Sequence, residues 1–343
     1  VGQLSSWAIF GNQLVTTSGY HGLLLYSIES SPLFFQTMHS GSSENLVDIW
    51  ASSRTDIYAA GGADLLHFNG AAWSRVKVAS VAQGLVLRGV WGSGPTDVFV
   101  VGERKGTSGA AKGTVYHYDG TGWTEQALGM TDPNPLLVVG GTGAKDVVAI
   151  GAIKYWADHT FYTCQEHRFD GVTWPSKKVG TVMGAPRRIW GSSADGLWLV
   201  TGSRYKYYRG KVLRIDGKAW SEVKIGGWSL FTGIWGSSAS SLYVVGHHVE
   251  IPEGQLWGEL FHHDGATWKQ TKKVQDLKPR EIWGTGSSAL YMTHEGGGLL
   301  YRDAGKVWHR VPTPSPHNLN RIWGTGKGEV FIIGDHGTIL HKR

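Results

Sequence analysis

Residues 90–102 have the sequence VWGSGPTDVFVVG, and residues 115–123 have the sequence VYHYDGTGW. The run DVFVVG is a nearly continuous series of β-branched and aromatic residues, which suits a strand buried on both faces. The run VYHY alternates more between apolar and polar residues, so it should form a strand with one face closer to solvent. The pair DG supplies the residues of a two-residue hairpin turn in which both central positions take positive φ. The stretch predicts one four-stranded antiparallel unit.

This unit recurs along the whole chain. Its opening residue is found at Trp7, Trp50, Trp91, Trp190, Trp235, Trp283 and Trp323, with Gly140 in the same place in one further unit. The successive spacings are 43, 41, 49, 50, 45, 48 and 40 residues, which is the period of four-stranded propeller blades. We therefore predict an all-β chain that forms one eight-bladed β-propeller domain over residues 1–343.

The count of fourth strands falls one short of the count of units, because the last unit ends at residue 343 after its third strand. The eighth blade is therefore predicted to have three strands. Seven blades remain the alternative, and that alternative requires one unit to be something other than a blade.

Most tryptophans belong to the repeat. A second tryptophan follows each turn in the pattern Asp-Gly-x-x-Trp, and the two repeat positions together account for thirteen of the 17 tryptophans. The second position should cover the outer strands of the blade. We assign these thirteen residues to structure and not to ligand binding. The turns begin at Asn69, Asp119, Asp170, Asp216, Asp264 and, with one inserted residue, Asp303.

Composition limits the function classes. The net charge of +6 comes from basic residues that are scattered through every unit, whereas nucleic-acid-binding proteins usually gather them on one face. The short basic runs Arg187-Arg188 and Lys177-Lys178 are predicted to be solvated strand ends.

Cys164 is the single cysteine, so no internal disulfide can form. No apolar run is long enough for a membrane span, and a start at Val1 fits either a mature chain cut from a precursor or a trimmed chain.

The pattern Ile-Trp-Gly-Ser-Ser, Val-Tyr-Val-Val-Gly and His-Tyr-Asp-Gly-x-x-Trp resembles the repeats of large bacterial extracytoplasmic propeller proteins over the whole chain. It is more distantly similar to the sialidase-type propellers, whose Asp-box reads Ser-x-Asp-x-Gly-x-x-Trp. Here Asp and Gly are adjacent, so the sequence lacks the Asp-box. The catalytic set of those sialidases, three arginines with a tyrosine nucleophile, is also not found at a recognisable spacing. The resemblance implies a propeller in an extracytoplasmic location, but a fold does not imply an activity.

The loops between second and third strands depart from the regular pattern. They are short in units one, two, seven and eight and long in units three to six, where they cover residues 103–113, 152–167, 203–210 and 247–259. Antiparallel strand order places all four on one face of neighbouring blades, and binding usually resides in loops on rigid scaffolds. The alternative is that these segments are longer strands joined by a far hairpin.

Aromatic and polar residues in the long loops are the candidate binding residues. Such side chains suit sugars, whose C–H faces stack on rings, and equally suit protein partners. The candidates are Tyr155, Trp156, His159, Tyr162, Arg204, Tyr205, Tyr207, Tyr208, His247, His248 and Trp257.

Several functions are disfavoured by the same loops. Their formal charges are +2, −1, +3 and −3, and this alternation argues against a nucleic-acid platform. No histidine spacing supports a metal site, and we predict no cofactor. No nucleophile motif and no phosphate loop is found. Carboxylates from different blades could still form a catalytic pair, with Asp158, Glu166, Glu250 and Glu253 as examples.

Three hypotheses follow. The first is a non-catalytic, lectin-like binding propeller, secreted or at the cell surface, that presents units three to six to a protein or glycan without inserting into a membrane. The second is a glycan-active hydrolase or lyase that uses the same face. The third is a structural subunit of a surface assembly, in which another chain completes the open edge of the three-stranded last blade.

Overall fold

A computed structural model describes the chain except for residues 1–3, 11–12, 19–21, 28–32, 79–83, 106–110, 130–133, 155–160, 193–195, 203–209, 217–218, 227–229, 251–253, 287–288, 326–327 and 343. Its described residues contain 31 strands, a 3₁₀ turn at Asp335–Gly337 and no α-helix.

The strands in chain order are β1 (Leu4–Phe10), β2 (Gln13–Ser18), β3 (Gly22–Ser27), β4 (Gln36–Thr37), β5 (Asp48–Ser53), β6 (Asp56–Gly61), β7 (Asp64–Phe68), β8 (Trp73–Val76), β9 (Leu85–Gly94), β10 (Asp97–Lys105), β11 (Ala111–Tyr118), β12 (Trp123–Gln126), β13 (Leu136–Gly143), β14 (Asp146–Lys154), β15 (Phe161–Phe169), β16 (Ser176–Met183), β17 (Ala185–Ser192), β18 (Gly196–Gly202), β19 (Val212–Asp216), β20 (Ala219–Val223), β21 (Leu230–Ser238), β22 (Ser241–Val249), β23 (Leu256–His263), β24 (Trp268–Gln275), β25 (Pro279–Gly284), β26 (Leu290–His294), β27 (Gly298–Arg302), β28 (Trp308–Val311), β29 (Leu319–Gly324), β30 (Val330–Gly334) and β31 (Ile339–Lys342).

Seven four-stranded antiparallel sheets form a ring of blades. Blades A to F each use four consecutive strands, from β5–β8 in blade A to β25–β28 in blade F. Blade G combines β29, β30 and β31 with β4. The first strand of each blade lies beside the first strands of both neighbouring blades, and β29 lies beside β5, so the ring is closed. The β-branched and aromatic runs of the second strands are buried, as predicted: β10, β22 and β30 each contain five consecutive buried residues.

The prediction of eight blades is wrong. Strands β1, β2 and β3 of the first unit form a separate three-stranded sheet, and the fourth strand of that unit, β4, pairs instead with β31. The last blade is therefore four-stranded, so the predicted open edge for another chain is covered by β4. The seven-blade alternative is correct, since unit one is the unit that forms no blade of the ring. That residues 1–343 make one domain stays a prediction.

The closure of the ring depends on residues 33–47, which run from the outer edge of blade G to the start of blade A. Strand β4 pairs over two residues only, Thr37 with Leu340 and Gln36 with His341. Phe35, which is fully buried, anchors the segment in the core between blades F and G, and its ring meets Tyr291 edge to face at 6.3 Å. Because the strand pairing is so short, this apolar anchor should carry much of the closure.

At four of the blade-to-blade seams, the tryptophan of one repeat opening packs against the glycine of the next. A Cβ at Gly92 would lie 2.7 Å from the indole of Trp50 in the preceding blade, and one at Gly141 would lie 2.7 Å from the indole of Trp91. The same contact links Trp235 and Trp283 to the glycines of the next blades, Gly284 and Gly324. Glycine is required here because the preceding indole occupies the volume of any side chain.

The Asp-Gly turns differ from the predicted two-residue type. Gly120 has a φ of 90°, while no Asp of these turns is among the described non-glycine residues with positive φ. The Asp119 carboxylate instead accepts hydrogen bonds from the amides of Thr121 (2.8 Å) and Gly122 (3.0 Å). Hydrogen bonds from the Thr121 side chain and from these amides lower the pKa of Asp119 to about 2. Asp is thus used as a cap for backbone amides, and the glycine after it takes the positive φ. The turn with the inserted residue differs, since Lys306 has the positive φ there.

Candidate functional site: the loop face

One face of the ring carries the loops between second and third strands and the connections between blades, and we call it the loop face. The hairpins of blades B, C and E rise on this face: their strands pair as far as Lys105 with Ala111, Lys154 with Tyr162, and Val249 with Leu256. In blades A, F and G the second strands end earlier, at Gly61, His294 and Gly334. The predicted long loops of these three raised blades are therefore largely strands, as the far-hairpin alternative held.

Most of the predicted binding residues lie outside the described residues: Tyr155, Trp156, His159, Arg204, Tyr205, Tyr207 and Tyr208. Tyr162 is half-buried on β15 and packs against the apolar core between blades C and D. His247, His248 and Trp257 lie together on the hairpin of blade E. The structure therefore brings three of the eleven predicted residues into one group.

The hairpin of blade E is held by polar contacts of its aromatic residues. The indole Nε1 of Trp257 donates a hydrogen bond to Glu250 (2.7 Å), and the Lys273 ammonium lies 4.3 Å from the centre of the Trp257 ring. The Nδ1 of His248 lies 3.1 Å from the buried carboxylate of Glu259. One face of the Trp257 ring is therefore already covered by a cation, which leaves less of it for stacking on a sugar.

His247 stands at the foot of this hairpin. Burial lowers its pKa to about 4, with smaller contributions from Glu295, which raises it, and from Lys278, Arg187 and His248, which lower it. Its Nδ1 is buried and has no hydrogen-bond partner within the described part of the chain. The imidazole is therefore neutral at neutral pH.

This depressed pKa predicts a loss of stability in mild acid. Unfolding returns His247 to an ordinary pKa near 6.5, so its stabilising contribution is complete above pH 6.5 and is lost as the pH falls towards 4. The free energy of unfolding in urea, measured from pH 7 to pH 4, gives the number of protons taken up on unfolding. The wild type should take up as much as one proton per molecule more than the His247→Gln variant does. Other buried histidines titrate alike in both proteins, so identical pH profiles would contradict the assignment.

Four charged side chains form a chain of ion pairs across the channel at the loop-face end. They stand two residues before the repeat tryptophan or its equivalent: Asp48 in blade A, Arg188 in blade D, Glu281 in blade F and Arg321 in blade G. Arg188 Nε lies 2.7 Å from Glu281, Arg321 also bonds Glu281, and Arg321 Nε lies 2.9 Å from Asp48. We call this the cross-channel chain.

The cross-channel chain is nearly dry. The Glu281 side chain is only 2% exposed and those of Arg188 and Arg321 are each 19% exposed. Blade E has Gly233 at the equivalent position, where a Cβ would lie 2.7 Å from Glu281 Oε1, so its glycine makes room for the pair between blades D and F. Burial alone would lower the pKa of Arg321, but Glu281 and Asp48 together raise it.

The prediction that Arg187-Arg188 is a solvated strand end is wrong for Arg188. Its guanidinium reaches Glu281 and also donates to the Asn320 carbonyl oxygen at 3.2 Å. The sequence signal was available but weak, because the position two residues before the tryptophan is apolar or glycine in three blades and charged in four. Lys177 and Lys178 are exposed as predicted.

The carboxylates near the loop face are occupied by protein donors. Asp48 accepts from the amides of Ile49 and Val90 as well as from Arg321. Glu281 accepts from the Ile282 amide and from both arginines. Each carboxylate oxygen of this pair therefore already has a donor, although the two acids contact the same guanidinium.

The carboxylates named from sequence are placed differently. Glu166 is buried on β15, where it accepts from Trp220 Nε1 (2.5 Å) and lies 3.4 Å from Lys177 Nζ. Glu250 accepts from Trp257, while Asp158 and Glu253 lie outside the described residues. No described pair among them has the free oxygens that acid and base catalysis on a glycosidic bond would use.

Ser, Asp and His side chains also meet at the opposite end of the blades, which we call the turn face. His117 Nε2 lies 2.6 Å from Asp97, and the Ser93 hydroxyl donates to the other oxygen of that carboxylate. Blade A repeats the set with Ser52, Asp56 and His67. The serine donates to the aspartate and makes no bond to the histidine, so the arrangement is not that of a nucleophilic triad. The His117 ring stacks on Phe99 at 4.2 Å, which identifies the set as blade structure.

The described residues hold no group of three His, Cys, Asp or Glu side chains placed to bind a metal ion. Cys164 is buried, and burial raises its pKa to about 12. Among the described residues, no helix has the length and apolar character that crossing a bilayer requires.

No protein-family model and no curated protein sequence matches the chain. Among solved structures, YCF48 bound to D1 peptide matches with a TM-score of 0.64 and 14% identity, covering 92% of this chain and 96% of that one. YCF48 from Cyanidioschyzon merolae matches with a TM-score of 0.65 and 14% identity, covering 90% and 98%.

A third similar structure is the extracellular domain of a B. thetaiotaomicron protein described as a one-component system. Its TM-score is 0.64 at 8% identity, and the match covers 90% of this chain and 40% of that one. Identities this low show the fold alone. The chain therefore shares the propeller fold of proteins that include a peptide-bound one and a bacterial extracellular domain, while the specific repeat type predicted above stays a prediction.

Proposed function

We propose that this chain is a non-catalytic binding propeller that holds a protein or peptide partner on its loop face. The observation that carries the proposal is the one-sided elevation of that face, in which hairpins rise on blades B, C and E and stay low on blades A, F and G. A closed ring needs none of these extensions. Raised elements on a rigid scaffold are the usual location of recognition surfaces.

An exposed isoleucine supports the location. Ile153, which pairs with Thr163 near the top of the hairpin of blade C, is 52% exposed. The other large apolar residues that are exposed in the described part, Val172 and Val307, lie in turns on the turn face. An exposed apolar side chain on a raised hairpin provides an anchor of the kind found at the centre of protein interfaces.

A protein or peptide partner is favoured over a glycan. The covered ring of Trp257 supports this choice. The similarity in fold to a propeller solved with a peptide agrees with it.

The proposal includes a non-catalytic role and an extracytoplasmic location. The occupied oxygens of Asp48 and Glu281 support the first part. The similarity to an extracellular domain supports the second. A glycan-active enzyme on the same face is the competing function, and turnover of any glycan by the purified chain would favour it.

The test compares Ile153→Asp with Val172→Asp. Both place one carboxylate at an exposed apolar position, but only the first lies on the loop face, so both variants should unfold at the wild-type denaturant concentration. Partners captured from the source cells by the wild type, and confirmed by titration with the purified partner, should bind Ile153→Asp about tenfold or more weakly and Val172→Asp unchanged. Equal binding by both variants would contradict the proposed face, and specific signals on a glycan array alone would contradict the partner class.

A further inference from the structure

A second feature of the loop face lies on its low half, at the seam where blade G closes against blade A. A groove of about 850 Å³ opens there, and we call it the seam groove. Three segments line it, with Arg75 of β8 at one side. They are residues 37–43 at the end of β4 and beyond it, residues 314–317 between blades F and G, and residues 336–338 between β30 and β31. Its volume is within the range of sites that hold small ligands.

The first wall of the seam groove is a donor-rich loop with the sequence HSGSS at residues 39–43. The hydroxyl of Ser42 is committed, since it donates to Asp64 (2.6 Å) and accepts from the Glu44 amide (3.0 Å). Within the described residues, the backbone amides of Ser40, Gly41 and Ser43 have no acceptor. The amides of Ser40 and Gly41 are adjacent, and adjacent amides without an acceptor can together bind an anion.

The opposite wall carries two imidazoles. The rings of His317 and His336 have centroids 4.6 Å apart, and their nitrogens have no hydrogen-bond partner in the part of the chain that the structure describes. His336 is held at a φ of 54°, a conformation that non-glycine residues rarely adopt. The bond from its amide to Asn45 Oδ1 (3.1 Å) and the bond from the Gly337 amide to the Glu44 carbonyl (2.7 Å) hold this turn in place. Strain of this kind is typical of residues that are positioned for a ligand.

The charge of the lining indicates the ligand. Arg75 and three histidines line the seam groove, and none of the described residues that line it is a carboxylate. Asp64, whose side chain is 14% exposed, lies behind Arg75 at 3.2 Å from its Nε and orients the guanidinium. Guanidinium, imidazole, hydroxyl and amide groups together supply hydrogen-bond donors on several sides, which matches a tetrahedral oxyanion better than a planar or cationic group.

We propose that the seam groove binds a phosphate group, either free or as a monoester on a larger ligand. The site is distinct from the raised hairpins and does not depend on the proposed partner. A phosphate held between residues 39–43 and residues 315–317 and 336–338 would bridge the two sides of the seam. Because only the closed ring brings these segments together, phosphate binding stabilises ring closure by mass action.

The test measures binding and stability with inorganic phosphate as the probe. Calorimetric titration of the full chain should show saturable binding of phosphate, which chloride and acetate at equal ionic strength do not reproduce. The Arg75→Gln variant should bind phosphate about tenfold or more weakly, as expected for the loss of a charge-assisted contact. His336→Asn, which keeps a residue that tolerates positive φ, should also weaken binding. Arg54→Gln, on the turn between β5 and β6 at the opposite face, is the control and should bind as the wild type does.

Stability provides the second readout. Phosphate is excluded from all protein surfaces and therefore stabilises any folded protein to some extent, which the Arg75→Gln variant reports. The unfolding midpoint of the wild type should rise further than that of Arg75→Gln, with the logarithm of the phosphate concentration once this exceeds the dissociation constant. O-phosphoserine in place of phosphate distinguishes the sources: equal or tighter binding indicates a monoester, and binding of phosphate alone indicates the free anion. A midpoint that rises equally in all variants, or no saturable heat, would overturn the proposal.

Discussion

Replacing Glu281 by glutamine should lower the free energy of unfolding by about 3–5 kcal/mol. The change keeps the shape of the side chain but removes the carboxylate that both Arg188 and Arg321 contact in a nearly dry site. Asp48 then remains as the only carboxylate of the cross-channel chain for two guanidinium groups. Equilibrium unfolding in urea measures the loss, and m-values that stay the same show that the folded ring is retained.

The control for this prediction lies in the same blade. Glu295 pairs with Lys278 at 2.9 Å, but its side chain is 47% exposed and that of the lysine 42%. Glu295→Gln should therefore change the unfolding free energy by less than about 1 kcal/mol. Salt should weaken the exposed pair and leave the cross-channel chain nearly unchanged. Equal losses of unfolding free energy in the two variants would show that the cross-channel chain stabilises the fold no more than an exposed ion pair does.

Replacing Phe35 by alanine should lower the free energy of unfolding by about 3–5 kcal/mol and should open the ring locally. The side chain is fully buried between blades F and G, and the strand that it anchors pairs with β31 over two residues only. Without the anchor, the pairing of β4 should fray. Hydrogen exchange under native conditions should then speed up at the β31 amides and at Met38, which donates to Ile339 at 2.8 Å.

Phe99→Ala separates loss of packing from loss of closure. Phe99 is also fully buried, but it lies in blade B, within one continuous blade. Both variants should lose similar global stability. Only Phe35→Ala should accelerate exchange at β31, and protection of β31 in that variant at the wild-type level would show that closure does not depend on the anchor.

The repeat could be predicted well because a blade is a local object. The strand run of β10, the turn after Tyr118 and the covering Trp123 lie within about 30 residues of one another, so hydrophobic pattern and turn residues report on them directly. The details of the turn were predicted less well. The need for glycine was visible, but the use of the Asp carboxylate as an amide cap replaces the second positive φ.

The candidate site was predicted only in outline. Unequal loop lengths located the raised blades, because residues in excess of the regular repeat extend the hairpins beyond the blade. The partners of Trp257 and the burial of His247 could not be predicted, since they depend on Glu250, Lys273 and a neighbouring blade. The seam groove was missed, because its three walls come from opposite ends of the chain.

The sequence by itself determined the all-β class, the four-stranded unit, the places of the tryptophans and the side of the ring that carries extra length. Only the tertiary structure decided that seven blades close the ring, that β4 joins a strand about 300 residues away, and that Asp48, Arg188, Glu281 and Arg321 meet across the channel. The physical reason is the range of the interactions. A blade is specified by contacts between neighbours in the chain, whereas closure depends on the few long-range pairings that residues 33–47 make, and those pairings have no period.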